Sequence, residues 1–399
     1  MLLLLAVVLM SPPVQTAMAR KFLSSLEEKL DGKISFESLS VRPFDAVVIE
    51  NAALIDSHPY FSPKHPKMIP ADTVACAEYI GIVFNPWGLL GGGSALVSDL
   101  TIRNGRFCLV NEPGTSNIKR IFGKNRKPAD PNKPKATLPD RPLLRCSRLD
   151  IEGFRFRLMN FRNPKPDRDR AMNWTNLDAR DVTLKAHDIT LTGIITEGTV
   201  DHLSARERSG YVINHMSGKA RVYNMETKIE NLVIRDLWSD LHFDYYKMSP
   251  DKGEKSLGPF TNEVMLEARI APSRLNIESI AYFAPTLHKM NIVTNIEDAY
   301  VHGYVNDLSV KGFKFRTPDG EVEGEVDGTI TGAEHGNAMM TNYDIKRLSF
   351  TSAGISRFIH GWAPGMKLDF GQFGKGERFS FTGSLRGLLD NAVILFEVL

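Results

Sequence analysis

Asp240 and Asp244 stand four residues apart in the alternating stretch Asp240-Leu241-His242-Phe243-Asp244-Tyr245, so a strand would carry both carboxylates on one face. Two facing carboxylates are the machinery of glycoside hydrolysis, but there the separation that matters is spatial. Exposed strand acids give the same pattern, and the pair is a candidate by position alone. Glu321, Glu323, Glu325 and Asp327 alternate with Val322, Gly324, Val326 and Gly328. Four carboxylates in a row along a strand do not converge on a calcium ion. They fit a solvated outer face, and the inward glycines leave room for a neighbouring backbone or a ligand.

Other chemistry is thinner. His58 and His65 flank prolines in one loop and make a weak metal pair. Cys76, Cys108 and Cys146 lie far apart, which argues against a thiolate zinc site and allows one disulfide at most. Gly88-Leu89-Leu90-Gly91-Gly92-Gly93-Ser94 has the wrong spacing for a dinucleotide loop, and no β/α alternation surrounds it. Gly253-Glu254-Lys255-Ser256 and Gly374-Lys375 lack the upstream glycine of a phosphate-cradling loop, and neither HExxH nor GxSxG occurs. Asn173-Trp174-Thr175 is a glycosylation sequon, meaningful only in a eukaryotic secretory setting. Enzyme chemistry has no positive support, so the expectation is a non-enzymatic protein without metal or cofactor.

The elements that would position any site are strands. From Ile34 onward an aliphatic pair at i and i+2, a polar turn and a second apolar alternation recur. Copies are Leu39-Ser40-Val41 before Val47-Val48-Ile49, and Leu100-Thr101-Ile102, Asn104-Gly105, Phe107-Cys108-Leu109. Further copies are Leu149-Asp150-Ile151, Glu152-Gly153, Phe154-Arg155-Phe156, and Leu308-Ser309-Val310, Lys311-Gly312, Phe313-Lys314-Phe315. Val182 and Leu184 answer Ile189 and Leu191 across His187-Asp188. The spacing is too irregular for a solenoid of fixed period. Successive antiparallel strands joined by loops of variable length fit it. One sheet face is then apolar and must be hidden. Few helices can do so, with 353–361 a short one and 85–90 a single turn. The sheet therefore either fills itself as a sandwich or curls into a trough with an apolar floor.

Of 399 residues, 42% are hydrophobic and 24% charged, as suits neither a disordered tail nor a polytopic membrane protein. A net charge of +2 argues against nucleic-acid binding by bulk charge. Leu2 to Met10 is an unbroken apolar run, about 15 Å long as a helix, or half a bilayer core. It fits a secretory signal, with Ala17-Met18-Ala19 as the cleavage site, or part of a retained anchor. Val14, Met18, Phe22, Leu26 and Leu30 predict an amphipathic helix continuing from it, which favours the anchor; a buried leader helix is the third reading. Residues 112–147 form a basic, proline-rich loop that suits anionic headgroups or open solvent. The expected division is 1–31 anchor and amphipathic helix, 32–111 first β segment, 112–147 basic loop and 148–399 elongated β segment.

Several runs resemble the N-terminal part of TamB/AsmA-like envelope proteins. They are Pro12-Pro13-Val14-Gln15-Thr16 and the helix ending Leu30-Asp31-Gly32-Lys33-Ile34-Ser35, then Leu39-Ser40-Val41-Arg42-Pro43-Phe44 and Val47-Val48-Ile49-Glu50-Asn51-Ala52. Asn173-Trp174-Thr175-Asn176-Leu177-Asp178, Leu203 to Ile213 with Met216-Ser217-Gly218-Lys219, and Asn231 to Ile234 with Ser239-Asp240-Leu241 continue it. In the last segment, Arg235-Asp236-Leu237-Trp238 replaces the family's threonine and proline. The likeness covers residues 1–250, and the remainder only in style. It implies a curled antiparallel β-groove, anchored by one pass in the inner membrane with its body in the periplasm. The groove would conduct phospholipid toward the outer membrane or support outer-membrane protein assembly. An outer-membrane partner would meet a C-terminal portion not found here, and the chain is expected to be a fragment. Acyl chains would touch Leu149, Ile151, Phe154, Phe156, Val182, Leu184, Ile189, Leu191, Leu266, Ile270, Val310, Phe313 and Phe315. The rival reading is a structural or adhesive envelope sandwich with a partner-binding surface.

Overall fold

The computed structural model describes residues 16–17, 30–42, 46–64, 72–84, 95–123, 144–192, 195–223, 225–333, 339–362, 377–388 and 391–396. The expected anchor, the turn at 85–90, His65 and most of the N-terminal helix lie outside them; Thr16 and Ala17 are helical. The chain is mainly β and divides into two compact units, Met1–Val212 and Ile213–Leu399.

In the first unit, β1 (Gly32–Ser35) and β2 (Ser38–Arg42) both pair with β3 (Ala46–Asp56). Then follow β4 (Thr73–Phe84), β5 (Ala95–Glu112), β7 (Leu144–Asn160), β8 (Asn176–Thr192) and β9 (Ile195–Glu207). All these pairs are antiparallel except β5 with β7, which is parallel from Ala95↔Leu144 to Asn111↔Asn160. Uniform antiparallel pairing was the expectation. Parallel neighbours need a long crossover, and the basic segment supplies it by returning the chain to the starting end of β5. At its start, β6 (Thr115–Ser116) leads into helix α1 (Asn117–Ile121), capped by the Ser116 hydroxyl, which accepts from Lys119 N at 3.2 Å. Arg120 binds the buried carboxylates of Glu112, at 2.5 Å, and Asp56.

The second unit is a meander of β10 (Val212–Tyr223), β11 (Glu226–Asp236), β12 (Asp240–Pro250), β13 (Val264–Ile270), β14 (Ser273–Asn276), β15 (Val293–Tyr304), β16 (Asp307–Arg316), β17 (Val322–Thr331), β18 (Met340–Thr351), β19 (Arg378–Leu388) and β20 (Asn391–Phe396). Neighbours pair antiparallel, with β13 and β14 sharing β15. Helices α2 (Phe260–Glu263) and α3 (Ile277–Ala281) sit in connections, and α4 (Ser352–Trp362) fulfils the expected helix at 353–361.

The recurring phrase has a different meaning from the one its composition suggests. Asn104-Gly105, Glu152-Gly153, His187-Asp188 and Lys311-Gly312 are not turns between strands. Each lies inside one continuous strand, β5, β7, β8 or β16. Asn104 (φ 49°), Gly153 (φ 62°), Asp188 (φ 54°) and Gly312 (φ 59°) are left-handed, as are Asn51 in β3 and Asn231 in β11. Asn, Asp and Gly tolerate that conformation, and one extra residue in a strand makes a β-bulge that bends it and raises its twist. The bulge also slips the side-chain alternation by one. In β5 the apolar series therefore runs Leu100, Ile102, then Phe107, Leu109, and β7 matches it as Leu149, Ile151, then Phe156, Leu158. The bulges abut: a Cβ at Gly153 would stand 2.5 Å from Asn104 Oδ1, and Asn104 Nδ2 donates to Glu78 Oε2 at 2.7 Å.

Two core clusters form. Cys108, Val110, Met159 and Phe161 pack with Tyr60 in the first unit. Phe315, Val322 and Ile355 pack with Phe313, Val326, Leu348, Phe350, Phe358 and Ile359 in the second. Ile355, Phe358 and Ile359 follow the i, i+3, i+4 spacing that lays one face of α4 on the sheet. Arg357 on that helix holds Asp319 at 3.0 Å and Glu321 at 2.5 Å.

Candidate functional site

Cross-strand register gathers the apolar residues into rows. Leu39, Ile49, Ile80, Ile102, Ile151, Leu184 and Leu203 stand opposite one another across seven strands of the first unit. Two residues along, Val41, Val47, Ile82, Leu100, Leu149, Ala186 and Val200 form a second row. Period-2 alternation puts both rows on the same face. Beyond the bulges, Ile34, Leu54, Ala75, Phe107, Phe156 and Ala179 form a third, in which Phe107 stacks on Phe156 with centroids 6.1 Å apart. Apart from Ala186, every member of the three rows is half-buried. A sandwich would seal them as core; among the described residues no second layer does.

The second unit repeats the arrangement with Ile229, Tyr246, Ala268, Val301, Val310, Gly328 and Tyr343. Burial pushes both phenols up, so Tyr246 and Tyr343 stay neutral in this row. A Cβ at Gly328 would lie 3.0 Å from the Tyr343 ring, and one at Gly324 would lie 2.8 Å from that of Phe315. The room left by these glycines is taken by neighbouring aromatic side chains and, at Gly324, by the neighbouring backbone, with the Arg347 carbonyl oxygen 3.2 Å from where a Cβ would stand.

Ile151 and Leu184 face each other, as do Phe154 and Val182, with Leu149 opposite Ala186 and Phe156 opposite Ala179. Ile189 and Leu191 lie past the Asp188 bulge, opposite Cys146 and Leu144. In the second unit Leu266 faces Met248 and Gly303, Ile270 faces Phe243 and Ala299, Val310 faces Val301, and Phe313 faces Val326. Twelve of these thirteen residues are half-buried. Phe315 is the exception, 6% exposed beneath α4, with its ring 5.7 Å from that of Phe358. The candidate set missed Ile80, Ile82, Val200 and Leu203, which complete the rows. Ile80 and Ile82 carried the same aliphatic i, i+2 spacing, whereas Val200 and Leu203, three residues apart, did not.

Over the middle of these strands the opposite face is polar and largely self-neutralised, whereas toward the end of β5 and β7 it carries the buried Cys108, Val110 and Met159. A depression of about 530 Å³ is lined by Asp99, Arg148, Asp150, Lys185, His187 and Asp201. Arg148 pairs with Asp99, and His187 Nδ1 meets Asp201 at 2.8 Å, a bond that raises the imidazole pKa. At the far end of β8, burial alone would push the Asp178 carboxyl up. Arg155, at 2.7 Å, and Arg180 more than offset that and hold it well below the usual range. Burial also pushes the Cys146 thiol up, which leaves little nucleophilic thiolate.

Asp240 is held by Arg235 at 3.0 Å and His242 at 2.9 Å, while Asp244 is exposed. His58 Nδ1 meets Asp31 at 3.1 Å. The Asn173 amide of the sequon is buried, donating to Lys165 O at 3.0 Å and Asp167 at 2.7 Å while its oxygen accepts from Thr175. Among the described residues no group of three His, Cys, Asp or Glu is placed to hold a metal ion, and no helix is long and apolar enough to cross a membrane. No protein-family model, curated protein or solved structure matches the chain.

Proposed function

We propose that this chain is a non-enzymatic lipid carrier of the TamB/AsmA-like kind, whose apolar sheet face curls into a groove and holds phospholipid acyl chains. The observation that carries the reading is the set of aligned aliphatic rows left half-buried by the protein's own side chains. Repeated bulges bend the strands in the manner a curled sheet needs. An acyl chain laid along a row gains about 0.8 kcal/mol per buried CH₂ without any selective head-group contact. On this reading, the N-terminal segment anchors the protein in the inner membrane and the strands reach through the periplasm. On the same reading, its partner is an outer-membrane assembly protein. Protein purified without detergent and analysed by mass spectrometry carries phospholipid if the reading holds. Lipid-free protein overturns it.

A further inference from the structure

At one end of the first unit, three connections carry large exposed aromatics: Phe61 (60% exposed) after β3, Phe122 (52%) after α1, and Trp174 (59%) before β8. These connections are stitched together. Phe161 N donates to Asn111 O and Asn160 N to Thr175 O, both at 2.8 Å. The Arg162 guanidinium donates to Glu112 O and Thr115 O, both at 2.9 Å, and Tyr60 packs edge-on against Phe161 at 5.2 Å. The three aromatics therefore stand on a preorganised platform, and presenting them to a partner needs little further ordering.

The charge around them is biased. Lys64, Lys119, Arg162, Lys165, Arg168 and Arg170 are exposed there. The exposed acids are Asp72, Asp167 and Asp169, and Asp167 is already bound by Arg208 at 2.7 Å. Asp56 and Glu112 are buried under Arg120. The apolar face also reaches this end, where Leu109, Leu158 and Leu177 form one more half-buried row. Exposed aromatics among basic residues match a membrane interface, where the rings sit at headgroup level and the cations meet anionic lipid.

We propose that this end of the first unit docks on an anionic lipid bilayer, with Phe61, Phe122 and Trp174 inserted at headgroup depth. The proposal rests on the lipid-carrier reading for the use of such docking, since a groove must meet the bilayer it draws from.

The test uses the full chain on phosphatidylglycerol-containing vesicles carrying brominated acyl chains. The Trp174 component of fluorescence is obtained by subtracting the Trp174→Phe variant. That component is expected to be quenched by the brominated lipid and shielded from iodide. Phe61→Ser with Phe122→Ser is expected to abolish both effects. Lys165→Gln with Arg168→Gln is expected to weaken docking about thirtyfold, the factor given by about 1 kcal/mol per basic residue. An unquenched Trp174, or quenching unchanged in the serine variant, overturns the proposal. Because Trp174 alone is read, vesicle binding through the apolar N-terminal run does not imitate the result. Shielding of Trp174 by added soluble protein but not by vesicles also overturns it. Co-purified lipid is measured on the same sample. Lipid without Trp174 quenching sinks the docking and spares the carrier, and quenching without lipid does the reverse.

Discussion

Replacing Phe156 with aspartate separates a groove from a sandwich. Phe156 is half-buried and stacks on Phe107. Full burial of a phenylalanine is worth about 1.5–3 kcal/mol, and an aromatic pair adds about 0.5–1.5 kcal/mol. On a face with no second layer among the described residues, roughly two-thirds of the first term and the whole of the second are lost, and the carboxylate turns toward water. The cost is then about 2–3 kcal/mol, or a fall in melting temperature of about 4–12 °C for a unit of this size. In a sealed core the same change removes about 3–5 kcal/mol of packing and strands a charge in an apolar medium. The unit would then melt more than about 15 °C lower or fail to fold. The assay pairs a thermal melt followed by circular dichroism with lipid mass spectrometry. A folded, modestly weakened variant that has lost its lipid is the expected result. Collapse of the fold refutes the account of an unsealed face.

Three further outcomes follow from named contacts. Gly153→Val places a β-branched residue at φ 62° against Asn104 Oδ1. It should destabilise by at least about 2 kcal/mol, and a melt indistinguishable from the parent's would show that the bulge is not needed. Arg120→Met leaves the buried Asp56 and Glu112 carboxylates unpaired; a loss of about 3–5 kcal/mol by urea denaturation is expected, and less than about 1 kcal/mol would contradict the pairing. The Thr317 hydroxyl, the Glu321 amide and Arg357 together bring the Asp319 carboxyl down to about 2. A depressed folded value stabilises above the unfolded value near 4 and is lost as pH falls to about 2. Hydrogen exchange in α4 should rise through that window, less so in Arg357→Gln, and protection constant across it would remove Asp319 from the hold on the helix.

The β class was legible because period-2 alternation survives in nearly every segment, from Val264 to Ile270 and from Val322 to Ile330. The helix over 353–361 was legible for a similar reason: Ile355, Phe358 and Ile359 share a helical face. Strand boundaries were not. Asn104-Gly105 and Glu152-Gly153 have the composition of turns, and composition does not distinguish a chain that reverses from one that bulges and continues. The phase of the flanking aliphatics does. Ile102 and Phe107 are five residues apart, and the left-handed Asn104 between them (φ 49°) breaks the simple two-residue alternation. The parallel pairing of β5 and β7 left no local mark, because pairing partners are set by long-range register. Nor did the sequence show that Ile80 and Leu203 complete a row begun at Leu39, since the strands that carry them are far apart in the chain.

A one-sided sheet whose apolar face the described residues leave half-buried invites the objection that it should not be stable. The rows answer it. Each of the two seven-residue rows of the first unit contains six directly opposed pairs. A cross-strand pair contributes roughly 0.2–1 kcal/mol, so one row supplies on the order of 1–6 kcal/mol sideways. That is comparable to the whole net stability of a typical domain, about 5–15 kcal/mol. The aliphatics therefore stabilise the sheet through their lateral neighbours, and their upper surfaces are left over. What α4 does over Phe315 and Val322, by contrast, is to close that surface where it lies. An acyl chain would have no access there while the helix is seated, whereas among the described residues nothing covers Ile151, Leu184 and Phe156 in that way. The first unit, not the α4 end of the second, is accordingly where bound lipid should be found by cross-linking.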